Sequence, residues 1–520
     1  MKNYILKIQN ALFKSSLQKS ASPVYSRRIK SFQINPGERW VVWGDERSKF
    51  LDILGNKYLC DPPLSLDFGR KQGSLVRTEF VKFEGVMPTA HLSARFEFFK
   101  DDYDETCEKF IRDDSIGSNA VSYDVKSTNR QVNENLYQYL LDELKLKDLA
   151  NRWAMSLSNG QMRRARLARS LLKEPDLLLF DDPFLGLDPT ATSIISRFLA
   201  AYEKSPVVIG LRIQDQIPSW CTHICCVSTD GVIFQGKRAE LTSKIEDYRN
   251  QNLNLSAHSQ KYTIDDLLSS HPLYKKPEHD IIKMADDIEL KGLTVMYRGT
   301  PVLKDVHWKV APSSKWHIRG NNGTGKSTLL SLLTADHPQS WNSKLVEAGN
   351  PRRTGKSNYF DINKRIGLSS PELHAIFVKN AGKNLSVLES IATGFHDISN
   401  NFLPCFDGLS DDRKKTIDMF TEYFDLEGKK FVEFNALSVS DQKLILFIRS
   451  LVKMPRVLIL DEAFSGMDVA PMLRCHDLLN HWPGTVLVVS HIAEETPCCD
   501  HYLHLVEPGK YEVGDIDVDN

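Results

Sequence analysis

The stretch that decides the fold reads Gly320-Asn321-Asn322-Gly323-Thr324-Gly325-Lys326-Ser327-Thr328. An apolar run, Trp316 to Ile318, precedes it and a predicted helix, Leu329 to Leu333, follows it. The pattern G-x-x-x-x-G-K-[ST] between a strand and a helix predicts a phosphate-binding loop, because glycines let backbone N–H groups surround phosphate oxygens and the helix N-terminus adds positive potential. In such a loop Lys326 reaches the β- and γ-phosphates, and the Ser327 hydroxyl is placed to bind Mg²⁺.

Acidic and aromatic residues elsewhere complete a predicted nucleotide site. Asp461 and Glu462 directly follow the apolar run Val457 to Leu460, so a strand is expected to deliver Asp461 to the magnesium ion. Glu462 is expected beside the γ-phosphate as the general base for water. His491 follows the next apolar run and is predicted to sense or polarise the γ-phosphate, while Tyr297 is predicted to stack on adenine.

The chain is also predicted to be a duplication. Several residue groups recur 280 positions downstream without a gap, and an earlier set recurs at an offset of 276. The matched groups are Leu157-Ser158 with Leu437-Ser438, Arg169-Ser170-Leu171 with Arg449-Ser450-Leu451, Asp181-Asp182 with Asp461-Glu462, and Pro36, Trp40 and Gly44 with Pro312, Trp316 and Gly320. Each half mixes short apolar runs with helical segments, which predicts α/β domains with mostly parallel sheets.

Domain limits follow from the repeat and from composition. We predict domain one at residues 1–236, a linker at 237–286 and domain two at 287–520. The linker stretch is polar and contains Pro272 and Pro277, although a short helix is possible within it.

Composition excludes several classes of protein. The 520 residues include 66 Lys+Arg and 67 Asp+Glu, for a formal net charge of −1, which argues against nucleic-acid binding through a general positive field. No run approaches the about 18 to 20 apolar residues of a membrane helix, so a soluble protein is expected. Nine cysteines are too few for a disulfide framework. A zinc site at Cys221, Cys225 and Cys226 is less favoured than a buried strand through His223 to Val227.

The N-terminal segment supports two interpretations. No acidic residue stands among the first 37 positions, a composition typical of a mitochondrial presequence. The favoured alternative is that Ile5 to Phe13 and Ile29 to Ile34 are the first strands of domain one. We therefore expect a cytoplasmic protein, with the mitochondrial matrix as the alternative.

These motifs together resemble the ATP-binding cassette (ABC) family, and specifically the tandem ModF-like proteins and their uncharacterised fungal relatives. The resemblance implies two P-loop NTPase domains, each with a helical subdomain, which bind ATP with Mg²⁺. In that family two halves pair head to tail, so each ATP lies between the phosphate loop of one half and the signature of the other. The signature of half one corresponds to Ser158, Asn159, Gly160 and Gln161.

The two halves differ in which motif they retain. In half one Phe50 and Leu51 stand where half two has Lys326 and Ser327, and Asp182 and Arg212 take the places of the glutamate and histidine. Half two instead loses its signature, which reads Leu437-Ser438-Val439-Ser440-Asp441. Head-to-tail pairing would collect every defect in one composite site. We predict one hydrolysing site and one site that binds nucleotide weakly, statically or not at all.

The sequence leaves the partner open. The favoured interpretation is an ATP hydrolase that couples closure of its two halves to an unknown protein partner. The alternatives are a ribosome-associated factor of the ABC-F type, the ATP-binding subunit of a membrane transporter, and a scaffold that binds ATP and rarely hydrolyses it. In transport members of the family, a glutamine after this strand couples to the membrane subunit. No clear glutamine follows the strand near Ser369, which disfavours a transporter subunit.

Overall fold

The computed structural model describes most of the chain. The described residues are 4–16, 23–71, 74–82, 106–112, 132–154, 157, 159–185, 187, 189–253, 262–274, 276, 280–281, 284–297, 300–321, 323–355, 358–397 and 401–516. They divide into two compact units, the first within residues 1–255 and the second within residues 256–520.

The first unit contains twelve strands and six α-helices among its described residues. The strands are β1 Leu6–Lys14, β2 Ile29–Ile34, β3 Arg39–Trp43, β4 Leu59–Asp61, β5 Leu66–Phe68, β6 Arg70–Lys71, β7 Ser74–Leu75, β8 Thr78–Lys82, β9 Leu177–Asp181, β10 Val207–Leu211, β11 His223–Ser228 and β12 Gly231–Lys237. The helices are α1 Arg47–Leu54, α2 Cys107–Arg112, α3 Glu134–Glu143, α4 Asn159–Leu172, α5 Pro189–Ala201 and α6 Thr242–Leu253.

The second unit contains ten strands and eight α-helices among its described residues. The strands are β13 Ile288–Tyr297, β14 Thr300–Val310, β15 Lys315–Gly320, β16 Leu345–Glu347, β17 Asn350–Pro351, β18 Ile366–Ser369, β19 Val457–Asp461, β20 Thr485–Val489, β21 His501–Glu507 and β22 Lys510–Asp515. The helices are α7 Ile264–Leu268, α8 Lys326–Leu333, α9 Tyr359–Arg365, α10 Pro371–Asn380, α11 Val387–Ala392, α12 Asp411–Tyr423, α13 Val439–Leu451 and α14 Val469–Asn480.

Each unit has a six-stranded main sheet, and the two sheets have the same strand order. The first runs β12-β11-β3-β10-β9-β8 and the second runs β22-β21-β15-β20-β19-β18. In both, all neighbours are parallel except the terminal hairpin. This agreement confirms the predicted α/β fold with mostly parallel sheets.

The parallel order places the motifs at one edge of each sheet. The central strands are almost wholly apolar and buried, as β19 and β20 are, because helices cover both faces of a parallel sheet. In the second unit the neighbouring strands β15, β20 and β19 end at Gly320, Val489 and Asp461. Parallel strands present their carboxyl ends at a common edge, where α/β proteins bind ligands.

An antiparallel sheet accompanies the main sheet in each unit. In the first unit β1 pairs with β2, with Ile8 opposite Phe32, and both residues are buried. The predicted N-terminal strands are therefore confirmed. The predicted strand around Cys225 is also confirmed as β11, and burial raises the pKa of the Cys225 thiol well above its usual value. No group of three or more His, Cys, Asp or Glu side chains that could hold a metal ion occurs within the described ranges.

The helices between β18 and β19 form a separate apolar core in the second unit. Phe377, Phe420 and Phe447 from α10, α12 and α13 are fully buried in it. Helix α7, which lies inside the predicted linker, contributes Leu267 and Leu268 to the same core. That part of the 237–286 segment therefore packs as core of the second unit, which its polar composition did not indicate.

A buried carboxylate connects the two sheets of the second unit. Asp287, which is 2% exposed, precedes β13 and accepts hydrogen bonds from Thr485 Oγ1 at 2.6 Å and from Arg456 Nε. Burial raises the pKa of this carboxyl above its usual range.

Replacing Asp287 with alanine is expected to destabilise the second unit by about 3 kcal/mol, since breaking a buried ion pair leaves its partner unpaired. Urea unfolding of the full chain measures this loss. The neighbouring Asp286→Ala, which removes a less buried carboxylate, serves as the control. Equal stability of the two variants would contradict the role given to Asp287.

Candidate functional site

The loop after β15 depends on glycine at two positions. Gly320 and Gly325 have φ angles of 145° and 106°, which side-chain-bearing residues rarely adopt. A Cβ at Gly320 would lie 2.4 Å from the Leu505 carbonyl oxygen, and one at Gly325 would lie 2.9 Å from Val302 Cγ1. Gly323 also has a positive φ, 88°, but no atom lies within 4 Å of its added Cβ. The first and last glycines are thus fixed by packing, while the middle one faces open space.

The lysine of the loop is held inside the turn. Lys326 is 8% exposed, and its Nζ donates to the carbonyl oxygens of Gly320 at 2.7 Å and Asn321 at 3.0 Å. Thr324 Oγ1 donates to the same Asn321 carbonyl at 2.9 Å. Because the ammonium is enclosed by the loop itself, it is positioned for an anion that the loop surrounds.

The remaining loop residues lie where the motif predicts. Ser327 and Thr328 are half-buried in the first turn of α8. Asn322 lies outside the described residues. Tyr297 ends β13, and the described part of the structure does not include its side chain.

Glu462 has a strained backbone at the end of β19. Its φ is +44°, a left-handed conformation that costs a non-glycine residue free energy and that often marks functional sites. Its N–H donates to the Val489 carbonyl at 2.9 Å, and Val489 is also the neighbour of Asp461 across the parallel strands. The two acidic residues are therefore held at the strand end by the adjacent strand β20.

His491 lies beside Glu462. Its Nε2 is 3.4 Å from Glu462 Oε1, and the two side chains are only 12% and 14% exposed. Glu462 Oε2 is buried and accepts no hydrogen bond from any residue that the structure describes. A buried oxygen in this condition is suited to a water molecule or ligand, because leaving it unsatisfied is costly.

Two further charged residues, Glu372 and Lys443, lie near this edge, and the sequence analysis pointed to neither. Burial, then the carboxylates of Glu372 and Glu462, raise the pKa of Asp461 well above its usual value. Lys443 from α13 is 4% exposed and donates to the Glu462 carbonyl at 3.2 Å. The only available signal was that Lys443 matches Arg163 at the repeat offset.

The acidic edge fits a magnesium ion held partly by substrate. No three His, Cys, Asp or Glu side chains within the described ranges converge as ligands of one ion. Mg²⁺ commonly uses one or two protein ligands and completes its shell with phosphate oxygens and water. Asp461 and Ser327 are the two residues here that would hold it.

The signature of the first unit begins helix α4. Gly160 is buried, and a Cβ there would lie 2.8 Å from Ala191 Cβ, so a larger residue would push α4 away from α5. Gln161 is half-buried. Ser158 lies outside the described residues, and the side chain of Asn159 is not described.

The corresponding stretch of the second unit is bonded to itself. Ser438 Oγ donates to Asp441 Oδ2 at 3.0 Å and accepts from the Asp441 N–H at 3.1 Å. Lys429 Nζ lies 2.7 Å from the same carboxylate. This start of α13 is therefore a self-capped helix with a neutralised acidic group.

Comparisons with known proteins agree with these motifs. The chain matches the family described as ABC transporter over residues 76–185 and 303–465. It is 59% identical to an uncharacterised ABC transporter ATP-binding protein of Saccharomyces cerevisiae over 99% of both chains. The chain belongs to the ABC transporter ATP-binding family.

Other ABC transporter ATP-binding proteins are less similar to this chain. An uncharacterised ABC transporter ATP-binding protein of Schizosaccharomyces pombe is 29% identical, with 92% of this chain and 94% of that protein covered. The ABC transporter ATP-binding protein ModF of Escherichia coli is 31% identical, with 71% and 74% covered. No helix in the part of the chain that the structure describes is long and apolar enough to cross a lipid bilayer.

Replacing Lys326 with alanine is expected to weaken ATP binding at least about tenfold, since each lost charge-assisted hydrogen bond contributes about 1.5 to 3 kcal/mol. Titration with a fluorescent ATP analogue measures the change. Lys510→Ala removes an exposed lysine on the terminal hairpin of the same unit and is expected to leave affinity unchanged. Unchanged affinity in Lys326→Ala would contradict the assignment of the phosphate loop.

Proposed function

We propose that the protein binds and hydrolyses ATP at one composite site. The phosphate loop Gly320–Thr328 supplies one side of this site and the signature Ser158–Gln161 supplies the other, through intramolecular pairing of the two halves. The observation that carries the proposal is the arrangement at the β19 edge, where enclosed Lys326 and strained Glu462 are preserved together with His491.

The proposed roles follow from the contacts of each side chain. Lys326 binds the β- and γ-phosphates by moving its ammonium from the loop carbonyls onto them. Glu462 Oε2, which has no hydrogen-bond partner among the described residues, accepts a proton from the attacking water. His491 orients the other Glu462 oxygen from 3.4 Å. Magnesium, held by Asp461 and Ser327, supplies charge neutralisation of the phosphates.

A second composite site would combine the turn after Gly44 in the first unit with the stretch Leu437–Asp441 in the second. Both sides of that site lack the residues that the motifs require. In the second unit's signature, Asp441 is bonded to Ser438 and to Lys429, so the serine hydroxyl is already engaged. A carboxylate has no hydrogen to donate to a phosphate oxygen, so Asp441 adds no contact for phosphate here. The first unit offers buried Phe50 in place of the lysine. These features support a single hydrolysing site rather than two.

Closure on ATP and reopening after hydrolysis are proposed to act on a protein partner. The compartment is proposed to be the cytoplasm, with the mitochondrial matrix as the alternative. A ribosome and a membrane permease are the competing partners.

Replacing Glu462 with glutamine is expected to lower ATP turnover by about 100-fold or more, the usual contribution of a general base, while ATP binding is kept. Steady-state phosphate release and nucleotide binding measure the two effects. The matched control is Asp182→Asn, which makes the same chemical change in the other unit and is expected to retain turnover. Substantial turnover in Glu462→Gln, or loss of turnover in Asp182→Asn that unfolds at the same urea concentration as the wild type, would refute the asymmetric assignment.

Affinity purification of Glu462→Gln with ATP is expected to retain the partner, because the variant holds the ATP-bound state. Mass spectrometry of the bound fraction identifies the class of partner, and Lys326→Ala is the control that cannot form this state. Enrichment of ribosomal proteins or of a membrane permease over that control would replace the proposed class of partner.

A further inference from the structure

The first unit has a helical turn where the second unit has its phosphate loop. Gly44 and Gly320 match in the repeat and both have positive φ angles. Helix α1 nevertheless begins three residues after Gly44, at Arg47, whereas α8 begins six residues after Gly320, at Lys326. The Phe50 N–H bonds to the Glu46 carbonyl at 3.2 Å. The Arg47 and Phe50 N–H groups are thus bonded to carbonyl oxygens of the same turn.

A buried ion pair joins this helical turn to the acidic strand end. Arg47 Nε donates to Asp182 Oδ1 at 2.9 Å and Arg47 Nη2 donates to Asp182 Oδ2 at 2.7 Å. The residues are 5% and 8% exposed. Two parallel bonds between a guanidinium and a carboxylate are a strong and directional contact. Although burial alone would raise it, the pKa of Asp182 lies below its usual value because of Arg47, with Arg212 and Arg163 contributing.

The surroundings of this pair are fixed by further contacts of the first unit. Arg163 Nη1 from the signature helix α4 donates to the Asp182 carbonyl at 3.0 Å. Arg212, at the position of His491, pairs with Asp215 at 2.8 Å. The edge around Asp182 is therefore occupied by arginines that are bound to protein groups.

Helix α6 covers the same end of the sheet. Its Arg249 donates to the carbonyls of Asp215 at 2.9 Å and Ile213 at 3.2 Å. The Arg249 guanidinium also lies 5.5 Å from the ring centroid of Trp43, the residue directly before Gly44. Both the loop after β10 and the end of β3 are held by this helix.

The charges left in this region disfavour a nucleotide. Asp45 and Glu46 follow Gly44, and Lys49 is paired with Glu46 at 2.8 Å. A triphosphate would have to break the Arg47–Asp182 pair and would then face an unpaired buried carboxylate. Breaking such a pair is strongly unfavourable, and no lysine equivalent to Lys326 compensates for it.

We propose that the first unit holds no nucleotide during the ATP cycle, because the Arg47–Asp182 ion pair takes the place of bound phosphate. This proposal rests on the proposed function of the second unit. Of the three alternatives for the first unit, which are weak, static and absent nucleotide binding, it selects absent binding. The first unit then acts through its signature alone, on the ATP of the second unit.

Nucleotide stoichiometry of the full-length protein tests the proposal. Native mass spectrometry is expected to find one nucleotide per wild-type chain with excess Mg²⁺ and ATPγS. In Lys326→Ala it is expected to find none at an ATPγS concentration too low to fill a site weakened about tenfold. Lys49→Ala is the matched control, since it removes the lysine next to the lost motif position, and it is expected to keep one nucleotide.

Two nucleotides in the wild type, or one in Lys326→Ala, would overturn the proposal. A loss of nucleotide in Lys49→Ala would also overturn it, because Lys49 would then serve the first unit as its phosphate lysine. If Lys326→Ala fails to fold, the wild-type count alone still distinguishes one nucleotide from two. No nucleotide in the wild type would contradict the proposed function while agreeing with an empty first unit, so the two failures are distinguishable.

Discussion

In each unit, the carboxyl-terminal edge of the main sheet depends on a glycine at the end of a central strand, Gly320 as the last residue of β15 and Gly44 directly after β3. A Cβ at Gly320 would lie 2.4 Å from the Leu505 carbonyl, and one at Gly44 would lie 2.1 Å from the Val227 carbonyl. Both contacts are to the backbone of the neighbouring strand in the same sheet, so neither can be relieved by moving a side chain. This first glycine is therefore required by the fold, whether or not a nucleotide binds. The second and third glycines of the motif occur only where the loop remains open.

A second constraint shared by the units is the left-handed residue after the adjacent strand. Asp182 and Glu462 have φ angles of 50° and 44°, and each N–H bonds to a carbonyl of the next strand. The sheet thus fixes an acidic side chain at the same place in both units. In the second unit it lies beside His491, and in the first it binds Arg47. The same backbone geometry positions the proposed general base in one unit and an internal ion pair in the other.

Features that depend on short spacings could be predicted from the sequence. The phosphate loop and the acidic strand end each involve neighbouring residues, and the repeat was visible because such short motifs recur at a fixed offset. The Arg47–Asp182 pair could not be found this way because 135 positions separate its members and nothing in the motif requires an arginine there. Similarly, Lys443 gave no pattern of its own, since its burial depends on how α13 packs against β19.

Helix α7 illustrates a different reason for failure. The segment 237–286 is polar overall, and Leu267 and Leu268 form only a short apolar pair within it. Their burial results from tertiary packing against the helical core, which can override local composition. The average composition of residues 237–286 therefore did not reveal that Leu267 and Leu268 pack into the core.

The lost phosphate site and the gained arginine are physically connected. A carboxylate fixed by the sheet at the Asp182 position is buried, and an unpaired buried charge is costly. In the second unit Lys443 and Lys326 offset the negative charge around Asp461. The first unit has Phe50 instead of the loop lysine, so another cation must neutralise Asp182. Arg47 does this from the turn after Gly44, at the place where the second unit has its glycine-rich loop.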